Sequence, residues 1–324
     1  MKPVVDNIKI LNPVNQLSLF GYEKYFVDFI NTYKKKKLPN IILLSGQKGS
    51  GKATFAYHFI NYLLSENEKN AYSTSNFKIN SENSSFKLLL NNIHPNFYII
   101  KNTEKSENIK IEQIRNCIKF LNKSNYSKDF RIVLIDDAEN LNINSSNALL
   151  KSLEEPSKNT FFFLIYNDSK HIIETIKTRC LNYKIHFTIE EKIKIFNNMI
   201  NDYQLNYVPK EFSRFFFYDT PGSLLNFISL SKNNLDFFYN NDLASILYLL
   251  NEYKKNYDNS LLNIISTSIE NFYNLLCINN IKNFNYYFLN KNKITYIIYN
   301  MKKFNLDKKN LIISIEEILE NERK

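Results

Sequence analysis

A glycine-rich loop followed at once by a helix is the segment with the clearest chemistry. Residues 46–54 read G-Q-K-G-S-G-K-A-T, between an apolar run and an amphipathic stretch. In such a loop the glycines let backbone N–H groups turn toward phosphate oxygens, and a lysine and the helix N-terminus add positive charge. The alternative is a strand-to-helix turn that binds nothing. The phosphate-binding residues predicted by the loop are Gly46, Gly49, Ser50, Gly51, Lys52, Ala53 and Thr54.

The residue after the lysine argues against firm Mg²⁺ binding. A Ser or Thr at this position gives its hydroxyl to the metal of a Mg-nucleotide, but the chain has Ala53. Thr54 lies one position later, about 100° further around the helix, and its hydroxyl is a poor substitute. We therefore expect a phosphate-binding fold but leave occupancy by ATP and Mg²⁺ open.

Two adjacent aspartates follow an apolar run about 80 residues after the loop. The run begins at Arg131 and delivers Asp136 and Asp137, which resembles the Walker B strand of P-loop ATPases. Asp136 is placed to hold Mg²⁺ through water if a nucleotide binds. Active ATPases of this type usually have Glu where Asp137 stands, and Asp is one methylene shorter. The alternative is simpler, since buried strands often end in Asp.

Short apolar runs alternate with helical periodicity from residue 40 to residue 187. This alternation predicts an α/β fold with a parallel sheet of five strands covered by helices. One helical stripe follows the loop at residues 55–64, another spans residues 111–121, and a further helix is expected from Ser169 to Lys177. The predicted strands are Ile41–Ser45, Phe97–Ile100, Arg131–Asp136, Phe161–Tyr166 and Tyr183–Phe187.

The remainder of the chain is predicted to be helical. Thr188 and Glu191 form a capping-box pattern directly after the last strand, which marks a domain boundary near residue 187. We expect a P-loop domain over 1–187, a small helical lid over 188–238 and an all-helical collar over 239–324. The apolar residues of the last segment exceed what its own core needs, which favours an oligomerisation module. Residues 65–85, rich in Ser, Asn and Lys, are predicted to be an exposed or mobile insertion.

Composition limits the class of protein. The chain has 324 residues and a formal charge of +10, which favours contact with a polyanion, although richness in Lys alone can produce it. No apolar run reaches the ~20 residues needed to span a membrane, and the first residues do not resemble a signal peptide. Three scattered cysteines, Cys117, Cys180 and Cys277, suit reduced thiols. We expect a cytoplasmic protein.

Further motifs resemble those of bacterial clamp-loader subunits, a family of AAA+ proteins. The segment N-A-L-L-K-S-L-E-E-P at 147–156 matches a family signature, and residues 161–167, ending in Asn167, match its sensor-1 strand. Thr178-Arg179-Cys180 is similar to the S-R-C box, and I-E-Q-I-R at 111–115 is similar to I-D-Q-I-R. The resemblance implies the AAA+ fold over residues 38–187 and a sensor-1 role for Asn167. It also implies that Arg179 is an arginine finger that completes the ATP site of a neighbouring subunit.

The departures from the family pattern distinguish its branches. Motor subunits, called gamma or tau, carry Ser or Thr at position 53, Glu at 137 and a sensor-2 arginine where Leu225 stands. These substitutions make the chain similar to the stator branch, the delta-prime subunits, with little or no ATPase of its own. The resemblance then implies motor and delta subunits as partners, and the sliding clamp and primed DNA through the complex. The four-cysteine zinc module common in the family is missing from this sequence, so no zinc is expected.

Two alternatives remain at the level of sequence. A gamma or tau motor would hydrolyse ATP by itself. A free-standing P-loop kinase would need a phosphoryl-acceptor pocket and its own catalytic arginine, for which Arg179 is the one suggestive candidate. Arginine is scarce in this Lys-rich chain, and its planar, permanently charged guanidinium can donate two parallel hydrogen bonds to phosphate oxygens.

Overall fold

The chain folds into two compact units. The computed structural model describes residues 12–102, 108–122, 130–157, 159–168, 170–203, 220–230, 243–257, 259–304 and 307–323. The first unit holds the described residues up to 203 together with 220–224, and the second begins at Leu225. The three-domain division at residues 187 and 238 stays a prediction.

The first unit contains one sheet of five parallel strands in the order β2-β3-β4-β1-β5. Every residue of β1 and β3 is buried, because helices cover both faces of the sheet. The predicted α/β P-loop fold with a parallel five-stranded sheet is confirmed. The strands are β1 (Ile41–Gly46), β2 (Phe97–Ile100), β3 (Arg131–Ile135), β4 (Thr160–Asn167) and β5 (Leu181–Lys184).

Helices pack on the sheet in two layers because successive strand residues point to opposite faces. Leu44 and Leu134 join a core with the first three helices, whereas Leu43 and Val133 join a second core with the next three. The helices are α1 (Glu23–Lys34), α2 (Lys52–Leu64), α3 (Ser84–Leu90), α4 (Ile111–Asn122), α5 (Ile143–Glu154), α6 (Glu174–Lys177) and α7 (Ile189–Asp202).

The predicted capping box at the start of α7 is confirmed. The hydroxyl of Thr188 accepts from the Glu191 N–H at 3.2 Å, and the Glu191 carboxylate accepts from the Thr188 N–H at 2.8 Å. These two bonds satisfy backbone donors that a helix N-terminus otherwise leaves without partners. The capping box therefore fixes the backbone conformation at the first turn of α7, directly after the last strand.

Two predicted elements differ from the structure. The last strand was expected at Tyr183–Phe187, but β5 is Leu181–Lys184, because the pairing with β1 ends where Ser45 meets Lys184. Ile185 and Phe187 are buried outside the strand. The helix expected from Ser169 is limited to α6, since the described residues 170–173 are not helical. The buried side chain of Ile172 anchors this non-helical segment to the core.

The prediction that residues 65–85 form an exposed or mobile insertion is correct only in part: much of the segment is exposed, but several of its residues are buried. Asn83 is fully buried, accepts from the Asn61 side chain at 3.1 Å and caps α3. The Glu68 carboxylate accepts from the N–H groups of Ser84 and Ser85 at 2.8 and 3.0 Å. Hydrogen bonds satisfy the buried polar side chains of this segment, so it packs against the unit although its apolar residues follow no regular period.

The second unit is helical in its described part. Its core is formed by residues such as Ile246, Leu250, Ile265 and Ile269, each at most 1% exposed. These residues belong to the apolar stripes of the last segment, so part of the apolar surface that the sequence suggested was surplus fills the unit's own core. No described helix is long and apolar enough to cross a membrane. The helices are α8 (Pro221–Leu230), which spans the division between the units, α9 (Leu243–Asn256), α10 (Asn259–Asn279), α11 (Phe284–Phe304) and α12 (Lys308–Glu320).

Candidate functional site

The glycine-rich loop connects β1, which lies between β4 and β5, to the N-terminus of α2, as predicted. At Gly46 the backbone has φ +151°, and a Cβ would lie 2.5 Å from the carbonyl oxygen of Ile185. Glycine is therefore required where the chain crosses the end of β5. Gly51 adopts the left-handed conformation, with φ +92°, and precedes the first residue of α2. The loop thereby leads directly into a helix N-terminus, which carries partial positive charge.

Lys52 is buried inside the loop. Its side-chain ammonium donates to the carbonyl oxygens of Gly46 and Gln47 at 2.7 and 2.6 Å, and the residue is 5% exposed. Burial lowers the pKa of Lys52 to about 8, although carboxylates at Asp168, Glu139, Asp136 and Asp137 act in the opposite direction. Two of its three N–H donors are thus used by the loop itself.

The two aspartates follow β3, as predicted, and the environment of Asp136 disfavours its ionisation. Burial, with repulsion from Asp137 and Glu139, raises the pKa of Asp136 to about 6. The N–H of Asp137 donates to the Asp136 carboxylate at 3.1 Å. Asp137 has φ +55°, a left-handed conformation that Asp tolerates better than most residues. The backbone turn after the strand therefore fixes both carboxyl groups.

Asn167 is at the end of the neighbouring strand β4 and is paired in register with Gly46 of β1. Its N–H donates to the Glu139 carboxylate at 3.2 Å. Burial raises the pKa of Glu139. The structure therefore gathers the loop, the Walker B-like acids and the sensor-1-like residue at one edge of the sheet, where the carboxyl ends of parallel strands form ligand sites.

The start of α8 lies directly on the loop. The Thr220 hydroxyl donates to the Lys48 carbonyl at 2.8 Å, and the Gly222 N–H donates to the Gly49 carbonyl at 3.0 Å. A Cβ at Gly222 would lie 2.5 Å from that Gly49 oxygen. Helix and loop thus meet backbone to backbone. Leu225, at the position of the sensor-2 arginine, is 2% exposed.

The residues at this site fit a phosphate group better than a metal ion. The Ser50 hydroxyl is buried in the loop with no protein partner, which leaves one polar group for a ligand. Ala53, in contrast, packs against the apolar core, and Thr54 is half-buried on α2. Among the described residues, no group of three or more His, Cys, Asp or Glu could by itself hold a metal. Asp136 is the one predicted metal-binding residue present.

Arg179 lies just after α6, and its side chain bonds to residues of α5 and α6. Its Nε donates to Glu154 Oε1 at 3.1 Å, its Nη2 donates to the same oxygen, and its Nη1 donates to the Thr175 carbonyl at 2.7 Å. The side chains of Arg179 and Glu154 are 30% and 50% exposed. Within the described chain, none of these contacts involves the loop, Asp136 or Asn167.

Sequence reasoning missed several residues that shape these sites. Glu139 and Asp168 complete the acid cluster around Lys52, and their places beside Asp137 and Asn167 were the available signal. Thr220 contacts the loop across 172 positions of sequence, for which the sequence gives no signal. Glu154, in contrast, stands inside the N-A-L-L-K-S-L-E-E-P signature, although nothing in that signature pairs it with Arg179.

Comparison with known proteins agrees with these features. The family model described as "DNA polymerase III, delta subunit" matches residues 21–188, just over half of the chain. Over 139 residues the chain is 33% identical to DNA polymerase III subunit delta' of Pseudomonas aeruginosa, covering 43% of this chain and 40% of that protein. Over 50 residues it is 46% identical to DNA polymerase III subunit gamma of Buchnera aphidicola subsp. Schizaphis graminum, covering 15% and 14%.

Among solved structures, a gamma subunit-related protein of Thermotoga maritima covers 92% of this chain and 100% of its own, with 15% identity and a TM-score of 0.42. The matched segments span less than half the length of the curated relatives named above. The family match itself covers the whole sheet and ends at Thr188, the N-cap of α7. The chain belongs to the family described as DNA polymerase III, delta subunit, and it is similar to DNA polymerase III subunit delta'.

Proposed function

We propose that this chain is the delta-prime stator subunit of a cytoplasmic DNA polymerase III clamp loader, which helps motor subunits place the sliding clamp on primed DNA. The observation that carries the proposal is the state of its own nucleotide site. The loop is intact, but Ala53 offers no hydroxyl for Mg²⁺, and Leu225 is buried where a motor subunit presents an arginine. Such a site supports binding better than turnover.

In this proposal the chain's own site holds phosphate without completing phosphoryl transfer. Backbone N–H groups of the loop and Lys52 would hold phosphate oxygens, and Asp136 would hold Mg²⁺ through water. Bound Mg²⁺ would supply neutralisation of phosphate charge. The raised pKa of Asp136 means that the carboxyl binds a cation less readily below about pH 6. Asp137 has one methylene less than the glutamate that polarises water in active ATPases.

Arg179 has the chemistry required of an arginine finger that acts on a neighbouring gamma or tau subunit. A guanidinium has five N–H donors, and three of them are used by Glu154 and Thr175. The remaining two can donate to phosphate oxygens, which a lysine cannot do in the same planar geometry. Its partly exposed side chain supports a role outside its own unit. The delta subunit is the other expected partner in the complex.

The experiment compares the isolated chain with a reconstituted loader. Alone, the chain should show negligible ATP turnover, whereas a rate of order one per second or more, typical of enzymes, would identify a motor subunit instead. In the loader, Arg179→Ala should lower clamp- and DNA-stimulated ATPase by about tenfold or more. Arginine fingers contribute roughly 10³–10⁵ in rate. The expected loss is smaller than this because ATP sites of the loader that do not use Arg179 would continue to hydrolyse ATP.

Arg179→Lys should restore little of that activity, because it keeps charge and loses the planar donors. Lys177→Ala, which removes an exposed cation from α6, the short helix that ends just before Arg179, is the matched control and should leave the rate unchanged. If the Arg179→Ala loader hydrolyses ATP and loads clamps at the unmutated rate, the finger role is wrong.

The proposed assembly role rests on an apolar face of α11. One side of this helix is buried through Ile294, Ile298 and Met301, yet much of its other surface is also apolar. Helices that are apolar on every side are normally buried on every side. The exposed apolar side of α11 therefore supports a role of the 239–324 segment in binding another subunit. The exposed members, between 43% and 66% exposed, are Phe284, Tyr286, Phe288, Leu289, Tyr296 and Tyr299.

We expect the double variant Tyr296→Asp, Tyr299→Asp to lose assembly while staying folded. Charges on this face would have to be desolvated in an interface, so co-purification with motor and delta subunits should fall at least tenfold. Asn251→Asp, at an exposed position of α9, introduces a charge on a different helix and serves as control. Circular dichroism checks that both variants keep their helices, and undiminished assembly of the double variant would contradict the proposal.

A further inference from the structure

The carboxylate of Glu154 is attached to the rigid body of the first unit. Glu154 is the last residue of α5, and its neighbour Leu153 is 2% exposed in the core against the sheet. Arg179 is fixed in a similar way, because its N–H donates to Ile176, which is fully buried in the same core. Both backbones are therefore held in place, and the ion pair joins two anchored points.

Glu154 is in a place where a carboxylate gains nothing from its own helix. The C-terminus of a helix carries partial negative charge, so an acidic side chain there is mildly unfavourable. The unfavourable interaction with the helix end is offset by Arg179, whose Nε and Nη2 both donate to one Glu154 oxygen. The Thr175 carbonyl fixes Nη1 from the other side. The guanidinium plane is thus defined by contacts at three of its donors.

We propose that Glu154 is the positioning residue of the arginine finger: it holds the Arg179 guanidinium so that its two remaining donors are presented to the γ-phosphate on a neighbouring subunit. This inference rests on the proposed function of Arg179. A long arginine side chain otherwise loses considerable rotamer freedom when it binds. Holding it beforehand reduces that cost at the transition state. Glu154 touches no nucleotide itself and acts through Arg179.

A merely structural ion pair makes a different prediction. An exposed pair of this kind contributes little to folding, with typical values of 0–1 kcal/mol. If that were its whole role, removing Glu154 would alter thermal stability slightly and leave the loader's kinetics unchanged. Removing an anion beside the finger would even make its surroundings more positive, which by charge alone would favour phosphate binding. A loss of rate on removing Glu154 therefore points to positioning.

The test uses the complete loader containing Glu154→Ala, Glu154→Gln or the control Glu155→Ala. Glu155 is the adjacent exposed carboxylate, so its removal changes net charge equally without touching the pair with Arg179. We expect Glu154→Ala to lower kcat of stimulated ATPase about three- to tenfold with KM for ATP little changed. Glu154→Gln, which keeps an acceptor oxygen, should recover part of that loss, and Glu155→Ala should match the unmutated loader.

The double variant Glu154→Ala, Arg179→Ala separates the inference from the function on which it rests. It should be no slower than Arg179→Ala alone, because Glu154 acts only through the finger. An Arg179→Ala loader with an unchanged rate would reject the finger itself. A slow Arg179→Ala loader combined with a normal Glu154→Ala loader would reject only the positioning role, as would a further loss in the double variant.

A measurement on the isolated chain gives an independent readout. The Arg179 Nε–H group should give a slowly exchanging side-chain signal in ¹⁵N NMR, because it donates to Glu154 at 3.1 Å. We expect this protection to fall severalfold in Glu154→Ala and to persist in Glu155→Ala. Equal protection in both variants would show that Glu154 does not hold the guanidinium.

Discussion

The nucleotide site and the Arg179 region belong to the same unit but use their cations in opposite ways. Lys52 is 5% exposed and spends two of its three donors on carbonyls of its own loop. The Arg179 side chain is 30% exposed and keeps two of its five donors for an acceptor outside the pair. One cation supports the fold of its own site, and the other is presented outward.

This difference shows how a P-loop can persist in a chain that does not depend on turnover. Lys52, the acids around it and the start of α8 form a connected polar structure whose loss would leave buried groups without partners. The loop therefore has a structural reason to remain, independent of nucleotide chemistry. Arg179 has much less structural value, since its ion pair is exposed. Its worth lies in the chemistry that it can perform elsewhere.

The strongest test of this contrast is Gly222→Ala, which would separate α8 from the loop. Ala is the better helix former by about 1 kcal/mol, so an isolated helix would be stabilised. Here the new Cβ would lie 2.5 Å from the Gly49 oxygen, and we expect a net destabilisation of about 2–3 kcal/mol. Urea unfolding of the full chain measures it.

Thr220→Val, which removes the hydroxyl that bonds the Lys48 carbonyl and the Ser223 hydroxyl, should cost less, about 1 kcal/mol. A Gly222→Ala variant more stable than the parent would show that loop and helix do not meet, and the nucleotide site would then not be held by its own chain.

A smaller effect is expected from Asp136→Asn. The pKa of Asp136 is raised from 3.8 to about 6, so the folded state binds the extra proton and its stability falls as pH rises from about 4 to 6. Above pH 6 the parent carries the full free-energy cost of burying the ionised Asp136 carboxylate, and replacement by Asn removes this cost. We expect Asp136→Asn to be more stable than the parent by about 1–2 kcal/mol at pH 7.5, after allowance for partial exposure.

The advantage of Asp136→Asn should shrink toward pH 5 and vanish near pH 4. Scanning calorimetry across this range measures it, with Asp28→Asn, on the exposed surface of α1, as control. Destabilisation at pH 7.5 would mean that the Asp136 carboxylate is held by favourable contacts rather than tolerated in spite of burial.

Much of the sheet could be predicted because its signals are local. A buried parallel strand such as β1 is a continuous apolar run, and the loop after it has a fixed order of glycines and lysine. The boundary of β5 could not be predicted, because Ile185 and Phe187 are as buried as strand residues although they lie beyond the pairing. Burial determines which residue types occur in a segment, whereas backbone pairing with the neighbouring strand determines where a strand ends.

The candidate site was predicted where one motif contains all its parts, and missed where distant segments meet. Lys52, Asp136 and Asn167 were each marked by their own segment, and the sheet brings them to one edge. The contact between Thr220 and Lys48 depends on how α8 returns to the loop, which no local pattern encodes. The buried part of residues 65–85 was missed because Tyr72 and Ile79 follow no regular apolar period and Asn83 is buried through polar contacts.

The backbone contact between Gly49 and Gly222 also limits how this sequence can drift. A Cβ at Gly222 would enter the space of the Gly49 carbonyl, and Gly49 itself has φ +79° with Thr220 and Ser223 side chains close around it. Neither glycine can be replaced while the other segment stays where it is. Two positions 173 apart in sequence therefore form one mutational unit. A lineage that no longer uses its nucleotide would still have to keep this pair of glycines.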